Sequence, residues 1–148
     1  MYYIFICCHQ DTSTPLGVPI ISGSNAYCGA MIDTDTSKFI APPEAHRISD
    51  FMSAMYVQMV FTLKDSFVEC VMSTFCPMVS CAFNLLAQEW KLMVSDIRNG
   101  TLKLSLNLTQ SQRTVFEEAM GKGDPQRADE LDIVLSKSIK QHNFQSYV

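Results

Sequence analysis

The segment from Ser49 to Leu63 constrains the fold more than any other. Phe51, Met55, Met59 and Leu63 recur every four residues, with Met52, Tyr56 and Val60 beside them, so the segment reads as a helix with a broad apolar face. Such a face is stable only when other elements cover it, and Ser49 or Asp50 can cap its start. The chain has material for that cover. Of its 148 residues 47% are apolar and 18% charged, against roughly 25% charged in ordinary soluble domains. That balance excludes disorder and fits one domain or one piece of a larger domain. It also leaves a charge-poor surface suited to facing more protein.

The neighbouring segments supply partners for that helix. Tyr2 to Cys8 is aromatic and β-branched on both faces, the pattern of an interior strand. Thr12 to Pro19 is a turn-rich connection, followed by a short apolar segment, Val18 to Ile21, and a loop from Ser22 to Asn25. Between Met31 and Pro43, a polar run and the pair Pro42-Pro43 exclude regular helix and predict a long surface excursion. Phe67 to Phe75 is short and β-prone, and Pro77 stands where the first turn of a helix tolerates proline. Strand, tight turn and helix follow. That helix places Val79, Phe83, Leu86, Trp90, Met93, Val94 and Ile97 on one side and stops at Asn99-Gly100.

Leucines at 102, 104, 106 and 108 alternate, which suits either a strand or a packed loop. Thr109 to Gln112 forms a capping box ahead of a helix ended by Gly121. Asp124-Pro125 opens another helix, with Ala128, Leu131, Val134, Leu135 and Ile139 inward. The expected class is α/β, with mixed sheet strands, packed helices and a helix-rich C-terminal half.

Several functions are disfavoured by the same sequence. The net charge is −4 with no basic run, which argues against a binder of nucleic acid. Cys7, Cys8, Cys28, Cys70, Cys76 and Cys81 contain no Cys-x-x-Cys pair, so no metal site is expected, and reduced, buried thiols in a cytoplasmic protein are. His9, His46 and His142 have no partner at a hydrolase spacing. The stretch Phe67 to Leu86 is nearly long enough for a membrane span but carries Glu69, Pro77 and Asn84. The start lacks the basic region of a signal peptide, and the sequons at Asn99 and Asn107 matter only in a secreted chain.

Six phrases, in order, resemble the Gretchen Hagen (auxin-responsive) family of acyl acid amido synthetases. They are Thr14-Pro-Leu-Gly-Val-Pro19; Ala41-Pro-Pro-Glu44; Ser53-Ala-Met-Tyr56; Val71-Met-Ser-Thr-Phe75; Glu89-Trp90 near the end of a helix; and Asp96-Ile-Arg-Asn-Gly-Thr-Leu102. The resemblance runs to about Asp132. Non-plant members often carry a proline-rich phrase like Ala41 to Glu44, so it does not imply a flowering-plant hormone enzyme. It implies an adenylate-forming ligase that activates a carboxylic acid with ATP and Mg²⁺ and passes the acyl group to an amino acid. It also implies that residues 1–148 are an internal fragment of the large N-terminal domain. The family's ATP loop would then lie upstream, and its nucleotide-binding Tyr-x-x-Ser-Glu segment and C-terminal domain downstream.

Ser22 to Gly29 is no substitute for that ATP loop, because it has no lysine nearby and does not match GxxxxGK[ST]. By resemblance, the substrate-binding residues are Ser24, shortly after the Thr-Pro-x-Gly-x-Pro phrase, and Thr74, where the family usually has an aliphatic residue. Taken alone, Ser24 is a loop serine bonding its own backbone and Thr74 a strand residue satisfied by a carbonyl. The function expected is scaffold plus part of an acid pocket, inactive by itself, with no catalytic, cofactor-binding or metal-binding residue in the chain. ATP, Mg²⁺, a carboxylic acid and an amino acid belong to the full-length enzyme; neither nucleic acid nor membrane is an expected partner. The alternatives are a small helix-rich cytosolic module that binds a protein through its charge-poor surface, and a membrane-associated protein using Phe67 to Leu86.

Overall fold

The computed structural model describes residues 2–6, 12–20, 26, 29–30, 34, 39–73 and 75–142. Strand β1 (Tyr2–Ile6) pairs in parallel with β4 (Val68–Ser73), placing Tyr3 opposite Cys70 and Ile6 opposite Ser73. Between them in sequence, β2 (Thr12–Ser13) and β3 (Pro19–Ile20) pair antiparallel. Their turn needs Gly17 at φ 78°, and the Val18 N–H donates to Thr14 Oγ1 at 3.1 Å. Two-residue strands closed on their own turn do not extend the parallel ladder. Among the described residues the strands therefore make two separate pairs, one parallel and one antiparallel.

A 3-10 turn (Pro43–Arg47) leads into helix α1 (Phe51–Lys64), and Asp50 proves to be its cap: the Ser53 N–H donates to Asp50 Oδ2 at 2.8 Å. Every residue from Ser53 to Phe61 is buried, which is burial all round rather than on one face. The 3-10 turn, β1, α2 (Cys76–Asn99) and α4 (Pro125–His142) pack on it, and the Phe61 ring meets Phe116 of α3 (Gln110–Met120) edge-on at 6.3 Å. Met52, expected on the inner face, is exposed, and Phe51 and Leu63 are half-buried at the helix ends.

Helix α2 starts as expected, with Pro77 in its first turn, and ends at Gly100 in the left-handed conformation, φ 69°. Leu86, Trp90, Met93, Val94 and Ile97 are buried with Ala82 and Leu85, but Phe83 is exposed and Val79 only half-buried. In the first two turns of α2, residues 76–83, only Ala82 is buried. Close backbone contact fixes the other end: the Asp124 N–H donates to Ile97 O at 2.9 Å, and a Cβ on Gly123 would stand 2.7 Å from the Arg98 carbonyl carbon. Cys76 and Cys81 are exposed, contrary to the expectation of buried thiols, because they lie on these same uncovered turns.

The alternating leucines form a loop, not a strand. Arg113 is the reason: its guanidinium donates to Leu102 O at 3.2 Å and Leu104 O at 3.4 Å, and lies 3.5 Å from Lys103 O and Leu106 O. Carbonyls gathered round one cation cannot form a ladder. Leu102 and Leu106 are buried and Leu104 is exposed. The capping box opens α3 as read, with the Gln112 N–H on Thr109 Oγ1 at 3.2 Å and the Thr109 N–H on Gln112 Oε1 at 3.0 Å. Asp124 caps α4 through the Arg127 N–H at 2.9 Å. Ala128 and Leu131 are buried and Leu135 and Ile139 pack on the core, while Val134, expected inward, is exposed. No helix among the described residues is long and apolar enough to cross a membrane.

Candidate functional site

The two residues assigned to the acid pocket, Ser24 and Thr74, both lie outside the described residues. The frame around position 74 is described. β1 and β4 run parallel and end together at Ile6 and Ser73, and α2 begins at Cys76 with Phe75, extended at φ −130° and ψ 125°, in the cap position. Among the described residues no side chain caps this helix, and its first turn carries no acid, so its first N–H groups meet no carboxylate of the helix itself. The end of a parallel strand feeding a helix N-terminus is where α/β folds receive ligands, and anionic groups suit it best. In the turn the Phe75 N–H lies 3.4 Å from Ser73 Oγ, and the Met78 N–H donates to Phe75 O at 3.0 Å. Neither residue 74 nor residue 24 is among the described residues, so no described geometry joins them.

A second constellation was missed by the sequence reading and is fully described. The Tyr56 hydroxyl donates to Asp96 Oδ2 at 2.8 Å, and the Lys103 N–H donates to the same oxygen at 3.1 Å. Lys103 Nζ lies over the Tyr56 ring, 4.0 Å from its centre, and pairs with Glu89. Burial pushes the Asp96 carboxyl above its ordinary value, against the pull of Tyr56, the Lys103 N–H and the charges of Lys103 and Arg113. Burial and the bond to Asp96 push the Tyr56 phenol up as well, so it remains a donor. The group clasps α1, α2 and the 101–108 loop together.

One signal could have revealed it. Asp96 stands among Met93, Val94 and Ile97, and a carboxylate in an inward stripe requires partners. Tyr56, Glu89 and Asp96 belong to three of the phrases that carry the family resemblance, so those phrases contribute side chains to a structural clasp.

An open groove of about 370 Å³ is lined by Ile40, Pro42, Phe61, Lys64, Asp65, Ala119 and Asp124. Its cation is committed to the fold: Lys64 Nζ donates to Met120 O at 2.7 Å, closing the C-terminus of α3. Arg127 closes α1 in the same way, through Leu63 O at 2.9 Å and Asp65 O at 3.3 Å. Asp65 and Asp124 accept backbone N–H groups of Phe67 and Arg127. Among the described residues no three His, Cys, Asp or Glu side chains gather as metal ligands. The polar groups of the groove named here are thus engaged within the fold.

The fold has counterparts among solved structures. The chain is similar in fold to the GH3.15 acyl acid amido synthetase, with a TM-score of 0.71 and 17% identity over 92% of this chain. It is likewise similar to the AtGH3.15 acyl acid amido synthetase in complex with 2,4-DB, with a TM-score of 0.75 and 16% identity over 93% of this chain. The matches span only 23% and 24% of those enzymes, about a quarter of their length. Residues 1–146 match the GH3 family N-terminal domain, and the chain belongs to that family, the one the six phrases resemble. Comparison with curated protein sequences gives no match.

Proposed function

We propose that this chain is a piece of the N-terminal domain of an ATP-dependent acyl acid amido synthetase and supplies scaffold together with one wall of the carboxylic-acid pocket. The observation that carries this reading is the family match over residues 1–146. The uncapped N-terminus of α2 beside the paired strand ends supports the placement of the acid at Thr74, with Ser24 as a second contact. ATP, Mg²⁺ and the amino-acid acceptor are held by parts of the domain outside residues 1–148, and the enzyme works in the cytoplasm. Carboxylate and α-phosphate must be held in line for adenylation, which is worth about 7–11 kcal/mol of the barrier, and one wall of a pocket does not do this.

The test has two arms. The 148-residue chain, incubated with Mg²⁺, ATP and a panel of aromatic and aliphatic acids, releases no pyrophosphate above a no-protein control; acid-dependent release that survives repurification contradicts the reading. The longer protein encoded by the flanking sequence does release it. In that protein Thr74→Val reorders the preferred acids by about 1–3 kcal/mol and leaves the KM for ATP nearly constant. Equal effects on every acid and on ATP assign Thr74 to the fold alone.

A further inference from the structure

We propose that Asn99 is a covalent modification site: its side-chain amide cyclises onto the Gly100 nitrogen when the last turn of α2 opens, and the product keeps the end of α2 from closing again on the 121–124 segment. Asn99 is the last residue of α2 and is exposed. Asparagine is among the chemically labile residues, and a glycine after it leaves the next main-chain nitrogen uncrowded. Asn25, Asn84, Asn107 and Asn143 are each followed by a residue with a side chain. In the reaction the Gly100 nitrogen gives up its proton and bonds to Asn99 Cγ. The Cγ–Nδ2 bond breaks, and ammonia leaves with that proton, giving a cyclic imide. Water then adds to either ring carbonyl and opens the ring to aspartate or isoaspartate, with no oxidant or reductant taking part.

The closed junction holds this chemistry back. The Gly100 N–H donates to Asp96 O, as the Thr101 N–H does at 3.1 Å, so the attacking nitrogen is engaged. Asn99 is helical, and its Nδ2 lies 3.4 Å from Ser95 Oγ, which turns the amide back along the helix and away from Gly100. Helix ends fray, and opening of this turn frees both groups. The main product does not fit back. Isoaspartate adds one carbon to the main chain between residues 99 and 100, where the spacing is otherwise fixed. There a Cβ on Gly100 would already stand 2.5 Å from Gly121 O and 2.7 Å from Gly123 N, and one on Gly123 would stand 2.8 Å from the Asn99 carbonyl carbon. Aspartate, the other product, adds no length but puts a negative charge at the C-terminus of α2, which the helix dipole opposes. Asp96 carries the damage to the clasp, because its carbonyl holds Gly100 while its carboxylate holds Tyr56 and Lys103.

The 148-residue chain is aged in mildly alkaline buffer, folded and in urea, and conversion of each asparagine is followed by peptide mass spectrometry. Isoaspartate is identified by a protein-isoaspartate methyltransferase added as a reagent. In urea Asn99 converts before the other asparagines. In the folded chain it converts at least about tenfold more slowly than in urea, because only the open fraction reacts. Folded chain carrying isoaspartate at position 99, separated from unmodified chain, has a lower urea midpoint than Asn99→Asp, which has the charge without the extra carbon. Asn99→Gln, whose longer side chain closes the ring poorly, keeps its midpoint through the same ageing. Equal rates in the folded chain and in urea overturn the proposal, as does a folded chain that never accumulates the product. Earlier conversion of another asparagine in urea overturns it too, and so does an isoaspartate form as stable as the unmodified protein.

Discussion

The helical body between Ala41 and Leu131 and the region formed by β4 and the first turns of α2 are both rich in apolar residues, yet only the first is covered. Among the described residues the buried core belongs to the body, save Ala82 in the second turn of α2, while Phe67, Val71, Met72, Phe75 and Phe83 are exposed. Apolar periodicity specifies an element and its sticky side; it does not specify that the partner lies within the same chain. Met55 and Phe83 carry the same signal in sequence. Met55 meets packed helices and Phe83 meets solvent.

The largest contrast is expected between two Phe→Ala changes in the 148-residue chain. Phe116→Ala opens a cavity against Phe61 and costs about 3–5 kcal/mol in urea denaturation, whereas Phe83→Ala changes stability by less than about 0.5 kcal/mol. Similar losses at both positions break the comparison.

Next in size is a pH effect confined to the body. Burial lowers the His46 pKa from 6.5 to about 4, so the unfolded chain takes up the proton first. The stability from keeping this imidazole neutral is complete above pH 6.5 and is lost as pH falls to about 4, a change of about 3 kcal/mol. His46→Gln flattens that part of the stability curve. A wild-type curve already flat between those values contradicts it.

Tyr56→Phe tests the clasp. It removes a hydrogen bond to a buried carboxylate and costs about 1.5–3 kcal/mol near neutral pH. The sign of its pH dependence follows from Asp96. The folded-state pKa of Asp96 is already raised, so its ionisation costs stability as pH rises through that value, and loss of the Tyr56 bond raises it further. The cost of Tyr56→Phe therefore shrinks on acidification, and thermal melts of both proteins across acid pH measure this. Smallest is Thr109→Ala, which removes one half of the capping box and costs about 1 kcal/mol by the same denaturation.

The parts legible in sequence were those settled by local chemistry. The Thr109–Gln112 box, the Asn99-Gly100 stop, Pro77 in the first turn of α2 and the Asp124-Pro125 start all act within a few residues of themselves. What escaped depends on distant groups. The alternation from Leu102 to Leu108 suited a strand until Arg113, on the next helix, gathered the carbonyls. Tyr56 and Asp96 meet across 40 positions, and Lys103 closes over them from a loop. Position 74 came from resemblance rather than residue pattern, since a threonine after a strand has no signature of its own.

Hydrogen exchange on the purified 148-residue chain tests the central claim most directly, because it compares the covered and uncovered regions amide by amide. The account predicts slow exchange for the amides of α1 from Ala54 to Phe61 and of α2 from Leu85 to Ile97, closing together as one unit, and exchange orders of magnitude faster along β4. β4 amides as protected as those of α1, with no other protein present, would show that the strand pair is complete within this chain and would contradict the account.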